Sequence, residues 1–381
     1  MNKKKRILIF IDWFLPGYRA GGPIQSCANL IEQLKDEFDF SIVTRNTDYK
    51  SDTPYLNVKS DEWDSLENGT RTYYFSSGNL SKKNIDKLLK SENYDVVYLN
   101  GIYSLYFSIY PLLYLKRSDK QVVVAVRGML AQSALSIKHW KKKIFLFSAK
   151  IFKLFENVLF HAANQQEADQ IYTVFGMKTK IGIAPNLSQK NSSVEWHIRK
   201  KEKGSVRLVS IARIAPEKNI KYALEILQRV RTNVVFDIYG PIYNEQYWCD
   251  CKVIINKLPG NITINYKGSL EREMVFNTLS DSHFLFMPTK GENFGHVILQ
   301  AMNAGVPVII SDQTIWRDLI NKNAGWDLPL ASPEKFIQMI EDCSNMEQTQ
   351  YEKLSKHTFD FAAPFINNPD IIEQNKKLFL K

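Results

Sequence analysis

The feature that most constrains this chain is a regular alternation of short apolar segments, rich in β-branched and aromatic residues, with longer segments of helical character. Near-continuous apolar strands separated by helices are typical of parallel sheets that are covered on both faces. The pattern therefore predicts an α/β fold. The predicted strands comprise residues 7–11, 40–44, 72–75, 96–99, 122–126, 158–161, 180–184, 206–211, 234–239, 262–266, 284–287 and 306–310.

A break in composition divides the chain in two. Residues 187–204 are polar and charged, and a fresh apolar strand begins at Val206. The 381 residues suffice for two or three domains with their own cores. We expect doubly wound, Rossmann-like parallel-sheet domains at residues 1–186 and 205–345, joined by a linker at 187–204. They would face each other across a cleft, toward which the carboxyl ends of the strands point, and ligands bind at such ends in open α/β sheets.

The net charge of +10 indicates an anionic partner, which could be nucleic acid, anionic lipid or a phosphorylated small molecule. The sequence has no zinc-finger, RRM or KH signature, so we expect no nucleic-acid partner. The four cysteines are too few for a disulfide scaffold, which favours a reducing, cytoplasmic compartment. The six histidines lack metal-ligand spacing, and we expect no metal site and no cofactor.

Two segments imitate targeting or membrane signals. The basic start of the chain precedes an apolar run of only five residues that ends at Asp12, which indicates a β-strand rather than a signal peptide. Residues 96–115 carry no charge over a length that could span a bilayer. Polar residues, a glycine and a proline interrupt this stretch, so we expect a strand, a turn and a buried helix there.

The most informative segment follows the predicted strand at 284–287. A loop with glycines leads into a helix that should begin near Gly295, and such a helix N-terminus offers unpaired N–H groups and partial positive charge to an anion or a sugar hydroxyl. Glu292 lies just before this N-terminus and can accept hydrogen bonds from a polyol. Gln300 follows eight residues later, close to the same helix face. The alternative is that Glu292 assists the cap of an ordinary helix.

In each domain, the loop after the first strand carries further candidate residues. Arg213 and Lys218 lie in the loop after 206–211, and a guanidinium fork with an ammonium suits a diphosphate, although both could be solvated surface residues. Gly21 and Gly22 follow the strand at 7–11 and permit close backbone approach to a ligand. The latter loop is neither G-x-G-x-x-G nor a P-loop, which argues against a dinucleotide oxidoreductase or a P-loop NTPase.

Taken together, these segments resemble the family 4 glycosyltransferases, which are retaining nucleotide-sugar transferases of the GT-B fold. The resemblance extends in order across most of the chain. It implies that helices at 346–381 cross back toward the first domain, and that the enzyme contributes to bacterial surface-polysaccharide biosynthesis. The segments that carry it are Gly21-Gly22, 126–130, 160–162 with 167–168, 184–186, 239–241, Arg213 with 218–219, 291–295 and 305–308.

The resemblance also implies roles for individual residues. Arg213 and Lys218 would hold the donor diphosphate and neutralise the leaving nucleotide, while Glu292 would bind the donor sugar. Arg127 lies where many relatives carry a histidine beside the reacting sugar, and its role is open. The other substrate-binding residues that the resemblance implies are Gly21 and Gly22 at the donor–acceptor junction, the backbone of Asn293, Phe294 and Gly295, and Gly240.

One position departs from the family pattern. Relatives carry a second glutamate that is taken to bind the ribose hydroxyls, and this chain has Gln300 there. An amide can both accept from and donate to a diol, so binding can survive. The alternatives are a catalytically weakened nucleotide-sugar-binding protein of the same fold, or a same-fold enzyme such as a nucleotide-sugar epimerase.

The D-x-D motif that commonly holds a divalent ion on the donor diphosphate does not occur in the sequence. Fixed cations at Arg213 and Lys218 would then stabilise the charge that develops on the diphosphate. The sequence therefore predicts a metal-independent transfer of a hexose-type sugar from a nucleotide-diphosphate sugar to a glycan or lipid-linked glycan.

The segment 120–155 has eight Lys or Arg residues and no Asp or Glu. On a helix that begins near Lys141, the apolar residues Ile144, Phe147 and Ile151 share one face with residues up to Val158, and lysines lie largely opposite. A basic amphipathic helix with aromatic residues is typical of a membrane-surface element, here on the inner face of the plasma membrane. The alternative is a core helix with a solvated basic back.

Overall fold

The computed structural model describes residues 3–66, 68–116, 118–131, 134–135, 139–190 and 195–380. The chain divides into two compact units, of which unit 1 is Met1–Lys190 with Asn367–Lys381 and unit 2 is Asn191–Ile366. Each unit contains a parallel sheet with helices on both faces. The predicted α/β fold class is confirmed.

Strands and helices alternate through both units. The strands are β1 (Lys5–Phe10), β2 (Phe38–Arg45), β3 (Trp63–Ser65), β4 (Arg71–Phe75), β5 (Val96–Asn100), β6 (Gln121–Ala125), β7 (Val158–Ala162), β8 (Ile181–Ile183), β9 (Ser205–Ile211), β10 (Asn233–Tyr239), β11 (Ile262–Gly268), β12 (Phe284–Met287), β13 (Val308–Ser311) and β14 (Gly325–Leu328). The α-helices are α1 (Gly22–Leu34), α2 (Lys82–Ser91), α3 (Tyr110–Leu115), α4 (His139–Ile151), α5 (Gln165–Phe175), α6 (Ile220–Leu227), α7 (Glu245–Ile255), α8 (Val275–Ser280), α9 (His296–Asn303), α10 (Pro333–Asn345), α11 (Gln348–Ala362) and α12 (Pro369–Lys377).

The sheet of unit 1 has the order β3-β4-β2-β1-β5-β6-β7-β8, and it is parallel except for the edge strand β3. Successive residues of a strand point to opposite faces. Leu8 and Phe10 of β1 pack in a core with residues of α2 to α5, whereas Ile7 and Ile9 pack in a second core with α1 and the C-terminal segment. The apolar run of β1 is continuous because both of its faces are buried.

The last residues of the chain belong to unit 1. The Phe379 ring packs against Phe38 and Phe40 with ring centroids 5.5 and 6.2 Å away, and Gln121 Nε2 donates to the Leu378 carbonyl at 2.7 Å. Of the helices expected at 346–381, α12 lies in this segment, while α11 belongs to unit 2.

The sheet of unit 2 is wholly parallel, with the order β11-β10-β9-β12-β13-β14. Leu208 of β9 packs in a core with α6, α7 and α10, whereas its neighbour Val209 packs in a core with α9. Unit 2 is thus doubly wound in the same way as unit 1.

The polar stretch expected as a linker is partly built into unit 2. The Arg199 side chain donates to the carbonyls of Ser280, Ala304 and Gly305, and Lys201 Nζ donates to three backbone carbonyls that include that of Ser344. Both cations are buried, and burial lowers the pKa of each. Carbonyl oxygens satisfy these donors in place of water. Arg199 also supplies positive charge where α9 ends, which complements the helix dipole.

Helix α4 differs from its predicted form. It ends at Ile151, and Val158 begins β7 instead of extending the helix face. Leu146 and Ala149 supply the buried contacts, whereas Ile144, Phe147 and Ile151 are 64%, 66% and 59% exposed. The predicted apolar face exists, but it faces away from the core. Residues 132–133 and 136–138 of the basic segment lie outside the described part.

In the part of the chain that the structure describes, no helix has the length and apolar character to cross a bilayer. The uncharged stretch at 96–115 forms β5, a turn, a π-helical segment at Leu105–Ile109 and α3. This arrangement is the strand, turn and helix that the sequence indicates.

The buried His161 of β7 makes stability dependent on pH. Because the Ala184 carbonyl can only accept, His161 Nε2 donates to it at 2.7 Å, and Nδ1 accepts from the Tyr98 hydroxyl at 2.8 Å. Burial, with the nearby Arg127 charge, lowers the pKa of His161 from 6.5 to about 3. Below pH 6.5, His161 is protonated in the unfolded chain but stays neutral in the folded chain. The free energy of unfolding that His161 contributes above pH 6.5 is therefore lost as the pH falls toward 3.

We expect His161→Gln to remove this pH dependence while preserving a donor and an acceptor. Between pH 6.5 and about 4, the wild-type free energy of unfolding should fall more steeply than that of the variant, by about 1.4 kcal/mol per pH unit. Urea unfolding at several pH values measures the difference. Equal slopes for the two proteins would show that His161 is not the titrating group.

Candidate active site

The order of strands in unit 2 defines where a ligand can bind. The chain runs from β9 to β10 and β11 on one side, and β12 to β14 lie on the other, so the direction of winding reverses between β9 and β12. In doubly wound sheets, ligands bind at the carboxyl ends of the strands that flank such a switch point. The two segments singled out in the second half of the sequence, 212–219 and 288–295, follow β9 and β12.

An ion pair connects these two loops. Lys218 Nζ donates to Glu292 Oε2 at 2.5 Å, and the two side chains are only 11% and 19% exposed. Glu292 N also donates to the Gln313 carbonyl at 3.1 Å, which ties its backbone to the loop after β13. The structure therefore brings together two of the predicted site residues at the switch point, in a setting that is largely shielded from water.

Hydrogen bonds to backbone carbonyls connect the loop after β9 with the loop after β12. The Glu217 carbonyl accepts from Lys290 N at 2.9 Å and from Thr289 Oγ1 at 3.0 Å. Asn219 Nδ2 donates to the Pro288 carbonyl at 2.9 Å, and Asn219 itself has a left-handed backbone with φ of 61°. Asparagine tolerates this conformation better than most residues. Glu217 and Asn219 thus position Lys218, and sequence reasoning missed both contacts.

Gly295 allows the chain to enter α9 beside Glu292. Its φ is +76°, and a Cβ placed there would lie 2.8 Å from Ile298 Cδ1 and 3.1 Å from Glu292 Cγ. Phe294 is buried, and its carbonyl accepts from Trp316 Nε1 at 2.7 Å. No side chain caps the N-terminus of α9 in the described structure. The helix therefore directs backbone N–H groups and partial positive charge toward the loop that carries Glu292.

Arg213 lies on the same edge of the sheet but has a different partner. Its Nη2 lies 3.4 Å from Glu217 Oε1, and its guanidinium carbon is 5.0 Å from the centre of the Tyr243 ring. Gly240 lies beside this loop, and a Cβ there would come within 1.9 Å of the Ala212 carbonyl oxygen. Gly240 is thus required by the close packing of the loops after β9 and β10.

Gln300 and Asn293 complete the predicted set in unit 2. Both are half-buried, Asn293 in the loop before α9 and Gln300 within that helix. Within the described residues, the Gln300 side-chain amide makes no hydrogen bond. Its donor and acceptor are therefore not committed to another side chain.

Three predicted residues lie in unit 1. Gly21, with φ of 73°, is the N-cap of α1, and a Cβ on Gly21 or Gly22 would meet nothing within 4 Å. Arg127 has a left-handed backbone with φ of 55°. Its Nε donates to Asn100 Oδ1 and its Nη2 to the Tyr98 hydroxyl, each at 2.8 Å.

Arg127 also donates to Asn186 Oδ1, close to where the chain leaves unit 1. With Tyr98 and His161 it forms a buried polar network at the carboxyl ends of β5 to β7. Arg127 thus supplies positive charge and hydrogen-bond donors to this network.

Among the described residues, no group of three or more His, Cys, Asp or Glu side chains is placed to hold a metal ion.

Residues 194–359 match the family model described as "Glycosyl transferases group 1". This part of the chain is a group 1 glycosyl transferase domain, and the protein is a glycosyltransferase. The match covers the Lys218–Glu292 pair, Arg213, Gly240, Gly295 and Gln300. It favours a transferase over the two alternatives that the sequence left open, an epimerase and a catalytically weakened nucleotide-sugar-binding protein.

Solved structures of low sequence identity share the fold of this glycosyltransferase. Sucrose-phosphate synthase from Thermosynechococcus elongatus is 15% identical, with a TM-score of 0.76 over 99% of this chain and 98% of that chain. HepE from Anabaena, solved with UDP and glucose, is 15% identical, with a TM-score of 0.73 over 98% of each chain. The pneumococcal O-GlcNAc transferase GtfA, solved with UDP and GlcNAc, is 12% identical, with a TM-score of 0.64 over 99% and 98%.

These likenesses establish the GT-B fold that the sequence predicts. No curated protein shows significant sequence similarity to the chain.

Proposed function

We propose that this protein is a family 4, retaining glycosyltransferase that moves a hexose-type sugar from a UDP-sugar to a glycan or lipid-linked glycan without a metal ion. The observation that carries the proposal is the shielded Lys218–Glu292 pair at the switch point of unit 2, inside the matched domain. The two neighbours solved with UDP and a sugar support the choice of nucleotide.

The chemistry requires stabilisation of two charges. Breaking a glycosyl–phosphate bond places negative charge on the diphosphate and oxocarbenium character on the sugar. A lysine ammonium has three N–H donors, and within the described residues Lys218 uses one for Glu292, so two remain for phosphate oxygens. Arg213 adds a planar fork that suits the second phosphate. Such preorganised cations act in place of a divalent ion.

Glu292 and the start of α9 serve the other side of the donor. Glu292 Oε2 accepts from Lys218, which leaves Oε1 to accept from the sugar hydroxyls. The backbone N–H groups of Asn293, Phe294 and Gly295 supply neutral donors at a helix N-terminus, where anions are favoured. In this proposal Gln300 binds the ribose diol, with its amide oxygen accepting and its amide nitrogen donating.

Unit 1 serves the acceptor in this proposal. The open space above Gly21 and Gly22 leaves room for a sugar at the start of α1. Arg127 is a positioning residue in this proposal, because its guanidinium donates to Asn100 and Tyr98 at the carboxyl edge of the sheet.

We expect the wild-type enzyme to release UDP from one of a panel of UDP-hexoses plus acceptor glycans at the same rate with and without EDTA. Lys218→Ala should lower kcat on the order of 100-fold, because it removes a cation that stabilises the leaving diphosphate. UDP release and the anomeric configuration of the product, followed by NMR, measure turnover and retention.

Lys290→Ala is the matched control for this test. Lys290 is exposed in the same loop as Glu292, and it contacts Glu217 through its backbone N–H. Because Lys290→Ala keeps this backbone contact, we expect a normal kcat. Activity that EDTA abolishes and Mn²⁺ restores would contradict metal independence. Near-normal kcat in Lys218→Ala would contradict its assignment.

We further propose that α4 rests on the anionic inner face of the plasma membrane, where a lipid-linked acceptor for envelope polysaccharide would lie. Four large apolar side chains of α4 are between 59% and 74% exposed, namely Trp140, Ile144, Phe147 and Ile151. Exposing this much apolar surface to water is unfavourable, and such patches mark interaction surfaces. Exposed lysines flank them at positions 141, 143 and 150. Apolar insertion combined with lysine attraction suits an anionic bilayer.

Flotation with vesicles tests this surface. The protein should float with anionic phosphatidylglycerol vesicles and not with neutral phosphatidylcholine vesicles, and Phe147→Ser with Ile151→Ser should reduce recovery by at least about fivefold. Leu56→Ser is a suitable control because Leu56 is 96% exposed on unit 1, outside α4. Equal recovery with both lipids would exclude the proposed surface.

A further inference from the structure

Unit 1 has its own switch point, which the donor chemistry does not use. Its chain winds from β1 to β2 and β4 on one side, whereas β5 to β8 lie on the other side of β1. The winding direction therefore reverses between β1 and β5. The carboxyl ends of these strands flank a position where doubly wound sheets bind ligands.

A charged cluster occupies this position. Asp12 lies just beyond β1, Arg45 ends β2, and Ser104 follows β5. Asp12 Oδ1 accepts from Ser104 Oγ at 2.9 Å and from Arg45 Nη2 at 3.3 Å. One carboxylate oxygen is thus held from both sides of the switch point.

The cluster leaves hydrogen-bonding capacity unused. Within the described residues, Asp12 Oδ2 accepts no hydrogen bond, and 20% of the side chain is exposed. Arg45 Nε is buried and has no hydrogen-bond partner among the residues that the structure describes. Buried polar atoms in folded proteins are nearly always paired. A hydroxyl is a donor, so a polyol can supply the hydrogen bond that Asp12 Oδ2 lacks.

Aromatic side chains surround the charged pair. The Arg45 guanidinium carbon lies 5.7 Å from the ring centres of both Trp13 and Tyr106. Trp13 is half-buried and packs edge-on against Tyr49 at 4.8 Å. A partly exposed aromatic ring beside a few placed polar groups is the usual composition of a small-ligand site.

The net charge of the Asp12–Arg45 pair indicates which class of ligand it can bind. Arg45 and Asp12 neutralise each other, so the cluster carries no net charge for an anion to bind. Burial raises the pKa of the Asp12 carboxyl, although its contacts with Ser104 and Arg45 oppose this. A ligand that donates hydrogen bonds to Asp12 is therefore favoured over one that adds negative charge.

We propose that Asp12, Arg45 and Trp13 form a binding subsite for an uncharged sugar residue at the carboxyl edge of the unit 1 sheet. The sugar ring packs on Trp13, and its hydroxyls donate to Asp12 Oδ2. This subsite deepens the proposed function, on which it rests, because it selects neutral acceptor glycans.

Ligand-observed saturation-transfer NMR on the full chain tests the subsite. The probes are the neutral methyl glycosides of glucose, galactose and N-acetylglucosamine, the charged methyl glucuronide, and UDP as a probe of unit 2. Asp12→Asn keeps the side-chain shape and removes the charge, and Trp13→Ala removes the ring. Asp39→Asn is the control, because Asp39 is exposed on β2, the strand that carries Arg45.

We expect at least one neutral glycoside to bind the wild type and the control, and to bind each of the two subsite variants at least about tenfold more weakly. UDP signals should be equal in all four proteins, which shows that unit 2 is intact, and equal thermal unfolding midpoints of the four proteins show that unit 1 folds. Undiminished neutral-glycoside binding in both variants would overturn the subsite. So would a preference for the glucuronide, or no neutral-glycoside signal from the wild type. A missing UDP signal from the wild type would instead overturn the proposed donor, independently of the sugar result.

Discussion

The candidate active site depends on one ion pair across the switch point of unit 2. Lys218 and Glu292 come from loops after strands that are adjacent in the sheet but distant in sequence, and they meet only because β9 and β12 are neighbours. Either side chain alone would leave a largely shielded charge without its partner. Among the described residues, the pair leaves two ammonium donors and one carboxylate oxygen unused.

In our proposals, the two units apply the same architecture to different ligands. Each places a cation and a carboxylate at the carboxyl edge of its sheet, beside the strands between which the winding reverses. In unit 2 a helix N-terminus and Arg213 add positive character, which suits a diphosphate. In unit 1 the Arg45–Asp12 pair is surrounded by aromatic rings, which suits an uncharged sugar. The surroundings of each pair, rather than the pair itself, distinguish the two proposed ligands.

Much of this fold could be predicted from the sequence, because strands buried on both faces leave continuous apolar runs. The strands that sequence reasoning missed, β3 and β14, lie at sheet edges and contain Asp64 and Asp327 among their few residues. The prediction of α4 was right that a helix forms, but the helix ends at Ile151 instead of extending to Val158. Its periodicity predicts an amphipathic helix, but only packing decides that Leu146 faces the core while Phe147 does not.

The site residues were partly predictable for the same reason. Glycines and charges after strands identify the loops, since these positions form the edge where ligands bind. Which charges pair is a property of the folded sheet: Lys218 contacts Glu292, whereas Arg213 contacts Glu217. The cluster of Asp12 and Arg45 has no sequence signal, because its members are isolated residues on separate strands.

The most direct test of the central claim is to compare UDP with uridine in calorimetric titrations that contain EDTA. With two fixed cations, UDP should bind at least about 100-fold more tightly than uridine, since each charge-assisted hydrogen bond contributes about 1.5–3 kcal/mol. The account predicts that the UDP preference survives EDTA in the wild type and collapses toward equality when Arg213 and Lys218 are both changed to alanine. A preference that persists in the double variant would contradict it.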